Sequence, residues 1–194
     1  MKFVLSWVAL ILLLGLAFAV GAHAQKTSDA DVPKTANPEI YPEMRNLVLH
    51  GSRAAFGLTG SFAKDQPWGV LMETGYPEGS ATLVAMADGS ASIYLSSGGG
   101  TIGGIANETI RKAAKQMVQI ASQFQPQVKQ TTAFPLPEKG ETIFYLLTDG
   151  GVFFARAVEE QLGENRHPLS RLFHAGHSVI SEIRLIDERR EKKP

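Results

Sequence analysis

Thr142-Ile143-Phe144-Tyr145-Leu146-Leu147-Thr148-Asp149-Gly150-Gly151-Val152-Phe153-Phe154-Ala155-Arg156-Ala157 is the stretch that decides the fold. Two apolar runs flank Asp149-Gly150, a dipeptide that closes hairpins because both positions tolerate positive φ. Ile143, Tyr145 and Leu147 point to one face of the first run, Phe144 and Leu146 to the other. Both faces are apolar, so other elements should cover both.

Working outward, a second Asp-Gly turn, Asp88-Gly89, lies between strand candidates at 81–87 and 90–97, and a further strand is expected at 68–74. Helical spacing of apolar residues marks three helices, at 41–58, 105–124 and 168–186. Pro42 suits a first-turn position of the first, Asn107 or Thr109 can cap the second, and Pro168 stands early in the third. The connection holding Pro126, Pro135 and Pro137 should run extended over the surface. The expected fold is therefore α+β. It has a five-stranded, mainly antiparallel sheet with helices on both faces, in the order α-βββ-α-ββ-α. The two Asp-Gly hairpins, each followed by a helix, form a weak internal repeat that shared turn chemistry explains without duplication.

That layout resembles the profilin and roadblock group of small interaction modules in element order and size. It departs from roadblock order, which has two strands before the middle helix and three after. The resemblance implies a binding module by fold analogy alone. Pro67-Trp68-Gly69-Val70-Leu71-Met72-Glu73-Thr74-Gly75 and Pro168-Leu169-Ser170-Arg171-Leu172-Phe173 are similar to segments of an uncharacterised family of small bacterial exported proteins. That likeness implies a bacterial source and supplies no activity.

Ahead of the domain, Lys2 is followed by an apolar run at 3–20 and then by Ala22-His23-Ala24. A positive start, an apolar centre and an Ala-x-Ala end are the parts of a secretory signal peptide, with cleavage expected before Gln25. The run of 18 residues would make a helix about 27 Å long, enough for an uncleaved anchor. Either way the domain lies outside the cytoplasm, in the periplasm or beyond, and any membrane contact is through this segment. There is no cysteine, which excludes a lipoprotein, disulfides and thiolate chemistry.

The expected organisation is 1–24 export segment, 25–40 flexible linker, 41–187 single α/β domain and 188–194 charged tail. Basic and acidic residues balance at 19 each and are interspersed, so no concentrated positive surface is available for nucleic acid.

The most unusual stretch is Gly98-Gly99-Gly100-Thr101-Ile102-Gly103-Gly104, between a strand and a helix. Its spacing satisfies a dinucleotide fingerprint, but no βαβ unit follows, and no Lys-Ser or Lys-Thr completes a phosphate loop. Gly98, Gly99, Gly100, Thr101, Gly103, Gly104 and Asn107 remain candidates for binding a small ligand or anion at a helix start. The alternative is a crossover that needs glycine for positive φ and close packing.

His174 and His177 have a spacing that permits shared metal ligation, yet His167 and His174 project away from the apolar stripe and His177 lies on its flank. They read as solvated, and no metal or cofactor is expected. No Gly-x-Ser-x-Gly elbow occurs, since Gly176-His177-Ser178-Val179-Ile180 fails at its fifth position. The turns account for Asp88 and Asp149. Asn107-Glu108-Thr109 is a glycosylation sequon that has meaning only in a eukaryotic secretory pathway. No catalytic set emerges. The expected function is a non-enzymatic exported module that binds a protein partner or itself, with ligand binding at the glycine stretch as the alternative.

Overall fold

The computed structural model describes residues 40–102 and 104–191, with the side chains of Arg190 and Glu191 excepted. The export segment, the linker up to its last residue, Gly103 and the end of the charged tail lie outside the described residues. Among the described residues no helix is long and apolar enough to cross a membrane.

Among the described residues four α-helices accompany the sheet: α1 (Ile40–His50), α2 (Glu108–Ala121), α3 (Glu159–Gly163) and α4 (Ser170–Glu191). The strands are β1 (Gly69–Tyr76), β2 (Gly79–Met86), β3 (Ala91–Leu95), β4 (Gly100–Thr101), β5 (Lys129–Thr131), β6 (Glu141–Thr148) and β7 (Gly151–Val158). They form one antiparallel sheet in the order β4-β3-β2-β1-β6-β7-β5.

The sheet thus has seven strands, which corrects the expected five and the layout behind the profilin and roadblock resemblance. The two additional strands are its edges. β4 comes from the glycine stretch and β5 from the connection read as surface loop. At two and three residues they are too short to show a period-2 pattern, and only pairing with β3 and β7 makes them strands.

Other bounds shift for local reasons. α1 stops at His50, short of residue 58, because Gly51 allows the chain to turn back. A Cβ there would lie 2.6 Å from the Leu47 carbonyl oxygen. Ser52 then caps a short 3-10 turn, Arg53–Phe56, which Gly57 ends at φ 67°. α4 runs past residue 187 to Glu191.

The hairpins also use glycine differently from the expectation. In the β2–β3 turn only Gly89 takes positive φ, at 95°. In the β6–β7 turn neither Asp149 nor Gly150 does, and Gly151 bears it at 124°. Thr148 stabilises that turn, its hydroxyl donating to the Gly151 carbonyl at 2.7 Å and accepting the Gly150 amide at 3.1 Å.

Alternation along each strand divides the core in two. Val70, Met72, Leu83, Ala85, Phe144 and Leu146 face α2 and α4, where Ile110, Met117, Leu172 and Val179 meet them. Gly176 lets α4 lie close on the sheet, since a Cβ would come within 2.6 Å of the Met72 sulfur. Leu71, Val84, Met86, Ile143, Tyr145 and Leu147 face the other way, under Tyr41, Val48, Leu49 and Leu58. Among the described residues α1 is the one α-helix that covers this second face. Phe56, Leu58, Phe62 and Trp68 from the chain after α1 add to the cover, as does Phe134 of residues 132–140. That segment crosses from β5 over β6 to β1, where Lys139 bridges Gly75 and the Gly140 amide donates to the Gly75 carbonyl at 2.9 Å. We call this segment the strap.

Beneath α1 and the strap lies a buried ion pair. Glu73, in the middle of the central strand, is fully buried, and Arg45 of α1 is 7% exposed. The Arg45 Nε and Nη2 donate to the two Glu73 oxygens at 2.8 Å each, a bidentate geometry that sets both position and angle. Thr82 donates to Glu73 Oε1 at 2.9 Å, and the Tyr41 hydroxyl joins Thr82 and Ser80. Arg45 Nη2 also donates to the carbonyls of Phe134 and Pro135, both at 3.1 Å, and the Tyr145 hydroxyl donates to Pro135 at 2.6 Å. Burial works against the guanidinium charge, but hydrogen bonding to Glu73 and its charge outweigh burial, and the Arg45 pKa lies above its ordinary value. Burial first, and the Glu73 carboxylate second, push the Tyr145 phenol up to about 12.

Removing one member of a buried pair leaves the other charge without a partner, at a cost of about 3–5 kcal/mol. Glu73→Leu should lose that much in urea unfolding, whereas Arg45→Met with Glu73→Leu should regain most of it. A Glu73→Leu single variant as stable as the parent would mean that the pair is not held in a dry interior.

Candidate functional site

The glycine stretch is a hairpin between β3 and β4. Gly98, Gly99 and Gly100 have φ of 96°, 88° and 143°, all in the region glycine favours. The Gly98 amide donates to the Leu95 carbonyl at 2.9 Å, and the Leu95 amide donates to Gly99 at 3.1 Å. A Cβ on Gly100 would overlap the carbonyl oxygen of Ile93, whereas one on Gly99 would meet nothing. Gly104 packs on Ile110, and the Asn107 side chain caps α2 by accepting the amides of Thr109 at 3.0 Å and Ile110 at 3.4 Å.

The remaining candidate, Thr101, and the neighbouring Thr109 turn toward carboxylates. Thr101 donates to Asp187 Oδ2 at 2.6 Å, and Thr109 donates to Glu182 Oε2 at 2.5 Å. The expected set is therefore brought together in sequence order along one edge and the start of α2, Gly103 lying outside the described residues. Its polar groups are engaged in turn, cap and helix contacts beside acidic side chains, a poor setting for an anion.

The three histidines do not converge. His167 Nδ1 accepts the Leu169 amide at 3.2 Å just before α4, and His174 Nε2 meets Asn165 Oδ1 at 3.0 Å. His177 is half-buried, which fits its place on the flank of the apolar stripe and corrects its reading as a solvated histidine. Its ring packs 4.3 Å from that of Phe173, and its buried Nε2 has no partner among the described residues. Burial, with His174 and Arg184 adding to it, holds the His177 imidazole below its ordinary pKa. Among the described residues no group of three or more His, Asp or Glu side chains is placed to hold a metal ion.

A cleft of about 350 Å³ opens on the second face, where α1 ends, the strap begins and β5, β6 and β7 come together. Its walls come from four distant segments: Leu49, His50 and Gly51; Trp68; Gln130 to Phe134 excepting Ala133; and Leu147, Thr148, Gly151 and Val152. His50 and Phe134 form an edge-to-face pair at 5.1 Å, and Phe134 in turn meets Tyr145 at 5.7 Å. Trp68 is buried, with Phe56 packed 5.9 Å away, and its indole N–H has no partner among the described residues. Arg45, by holding the Phe134 carbonyl, fixes one wall of this cleft.

Three of the cleft's polar side chains bond to nearby backbone. Thr131 donates to Ala133 at 2.9 Å, Thr148 to Gly151 at 2.7 Å and Gln130 to Gly150 at 2.8 Å. No Asp, Glu, Lys or Arg lines it. Sequence reading missed this site because no two of its wall segments share a motif. The one local signal is Trp68 at the head of β1.

Comparison with protein-family models, with curated proteins and with solved structures finds no match.

The contrast between two neighbouring glycines tests the hairpin assignment. Gly99→Ala should cost about 1–2 kcal/mol, the penalty of a left-handed residue. Gly100→Ala adds a backbone clash and should cost clearly more, read as a lower urea midpoint. Equal costs would remove the close approach to Ile93 from the account.

Proposed function

We propose that the domain is an exported, non-enzymatic binding module that holds a protein partner at the second-face cleft. The observation that carries this reading is the state of the cleft's polar groups. Thr131, Thr148 and Gln130 bond to their own backbone neighbourhood, so the cleft offers shape, aromatic surface and apolar contact. Such a surface gains free energy by removing apolar area from water, and His50 is the one acid–base side chain among its lining residues. The volume lies near the low end of ligand pockets and suits one side chain of a larger molecule. Export rests on the apolar run at 3–20 and on Ala22-His23-Ala24.

A photo-crosslinking residue placed at Thr132, at the cleft, and separately at Lys115, exposed on α2, tests both parts in the protein's own cells. A discrete adduct with another protein should form from position 132 and not from 115, outside the cytoplasm, on a chain lacking residues 1–24. Identical labelling from both positions would remove the cleft as the binding surface. An adduct of twice the chain's mass would replace the foreign partner by a second copy. A full-length chain confined to the cytoplasm would contradict export.

A further inference from the structure

We infer that α4 is an acid-weakened clasp: proton uptake by His177 eases the opening of the helix's C-terminal half from the sheet face it covers. The clasp is on the face opposite the cleft and does not rest on the binding-module reading.

Packing favours a neutral ring at His177. One residue earlier, Gly176 lets α4 lie close on Met72 of the central strand. The His177 ring packs 4.3 Å from that of Phe173, itself buried, and its Nε2 is buried with no partner among the described residues. A neutral imidazole leaves one nitrogen bare, whereas the charged form carries an N–H on both. Proton uptake therefore puts a charged donor where the surroundings offer no acceptor, which costs more than burying a neutral nitrogen.

The charges around the ring add to that cost. Helical spacing places His177 with Phe173, Ile180 and Arg184 on one flank of α4. The other flank meets α2 and the turn after it, where Glu182 accepts from Thr109 and Arg171 donates to Gln123 at 2.9 Å. On its own helix, His174 and Arg184 act on His177, both against a further positive charge. Phe173 abuts α3 at Gly163, and α3 carries Glu159 and Glu160. Glu160 pairs with Arg166 at 3.3 Å, while Glu159 acts on Tyr76 of β1, as does Arg184. On α2, Glu108 pairs with Lys112 at 2.7 Å. Among the described residues no carboxylate acts on His177 to favour its charge.

The sign follows from where the proton binds more easily. Burial holds the His177 imidazole below its ordinary value in the closed helix, so the open form takes the proton first. The hold of α4 is then complete above the open-state value of about 6.5 and weakens as pH falls toward the lower closed-state value. Glu159 works in the opposite direction, because burial raises its carboxyl and the folded form gains that proton first. Burial raises the Tyr76 phenol, which stays neutral throughout this range.

Native-state hydrogen exchange on the full chain at about pH 7.5 and about pH 5.5, corrected for intrinsic rates, tests the clasp, with the His177 midpoint read from its ring C–H signals. An open-state value of about 6.5 sets a ceiling of about tenfold on the effect of one histidine across this interval. Amides of residues 177–187 should lose about three- to tenfold of their protection on acidification while β6 keeps its own, and the His177 ring should titrate below about 6.5. His177→Leu and His177→Gln, neutral at every pH, should each abolish the loss, and either carries the test should the other fail to fold. His174→Gln should leave most of the loss in place. An undiminished loss in the His177 variants, or its disappearance in His174→Gln alone, would assign the acid effect to another group and overturn the inference. Equal loss in β6, no loss in the parent chain, or a ring midpoint at or above about 6.5 would overturn it as well.

Discussion

A carboxylate in the middle of a central strand, closed off from water on both faces, cannot stay charged alone. Glu73 is in that position, and the domain's second face is arranged around the need to answer it. The answer is the Arg45 fork, supported by Thr82. Because a bidentate contact fixes angle as well as distance, it determines how α1 lies on the sheet. The same guanidinium holds two strap carbonyls, and through Phe134 it shapes a wall of the cleft. One buried charge thereby connects the core to the cleft. Replacing such a pair by apolar residues is often neutral for stability, so the pair is better read as positioning α1 than as stabilising the domain.

The two faces of the sheet differ in how they are covered, and this difference decided what the sequence could reveal. On the first face, α2 and α4 bring repeating apolar stripes, and their existence was readable from Ile110, Met117, Leu172 and Val179 at helical spacing. The long strands were readable as well, because both Asp-Gly turns interrupt clear apolar runs. On the second face part of the cover is a strap whose order comes from contacts with Arg45, Tyr145 and Gly75, not from any period of its own. β4 and β5 were hidden for a related reason. A strand of two or three residues exists only by virtue of the neighbour it pairs with, and that neighbour is set by the fold.

The candidate site followed the same division. The glycine stretch was conspicuous because three consecutive positive φ values demand glycine, and that demand comes from a hairpin passing close to Ile93. Asn107 was legible as a cap and is one. Glu73 within Val70-Leu71-Met72-Glu73-Thr74 was a signal of another kind, a charge where the pattern requires burial, and its partner 28 residues earlier could not be named from spacing. The cleft left no signature at all, since its aromatic residues are ordinary ones that only the closed chain brings together.

The central claim is that the Arg45–Glu73 pair orders the strap and so forms the cleft. Amide hydrogen exchange on the Arg45→Met, Glu73→Leu double variant tests it most directly, because apolar replacements keep the core filled. The account predicts that β1 and β6 retain their protection while the non-proline amides of 133–140 exchange about tenfold faster or more, a loss of about 1.4 kcal/mol of local stability. Strap amides as protected as in the parent protein would contradict it.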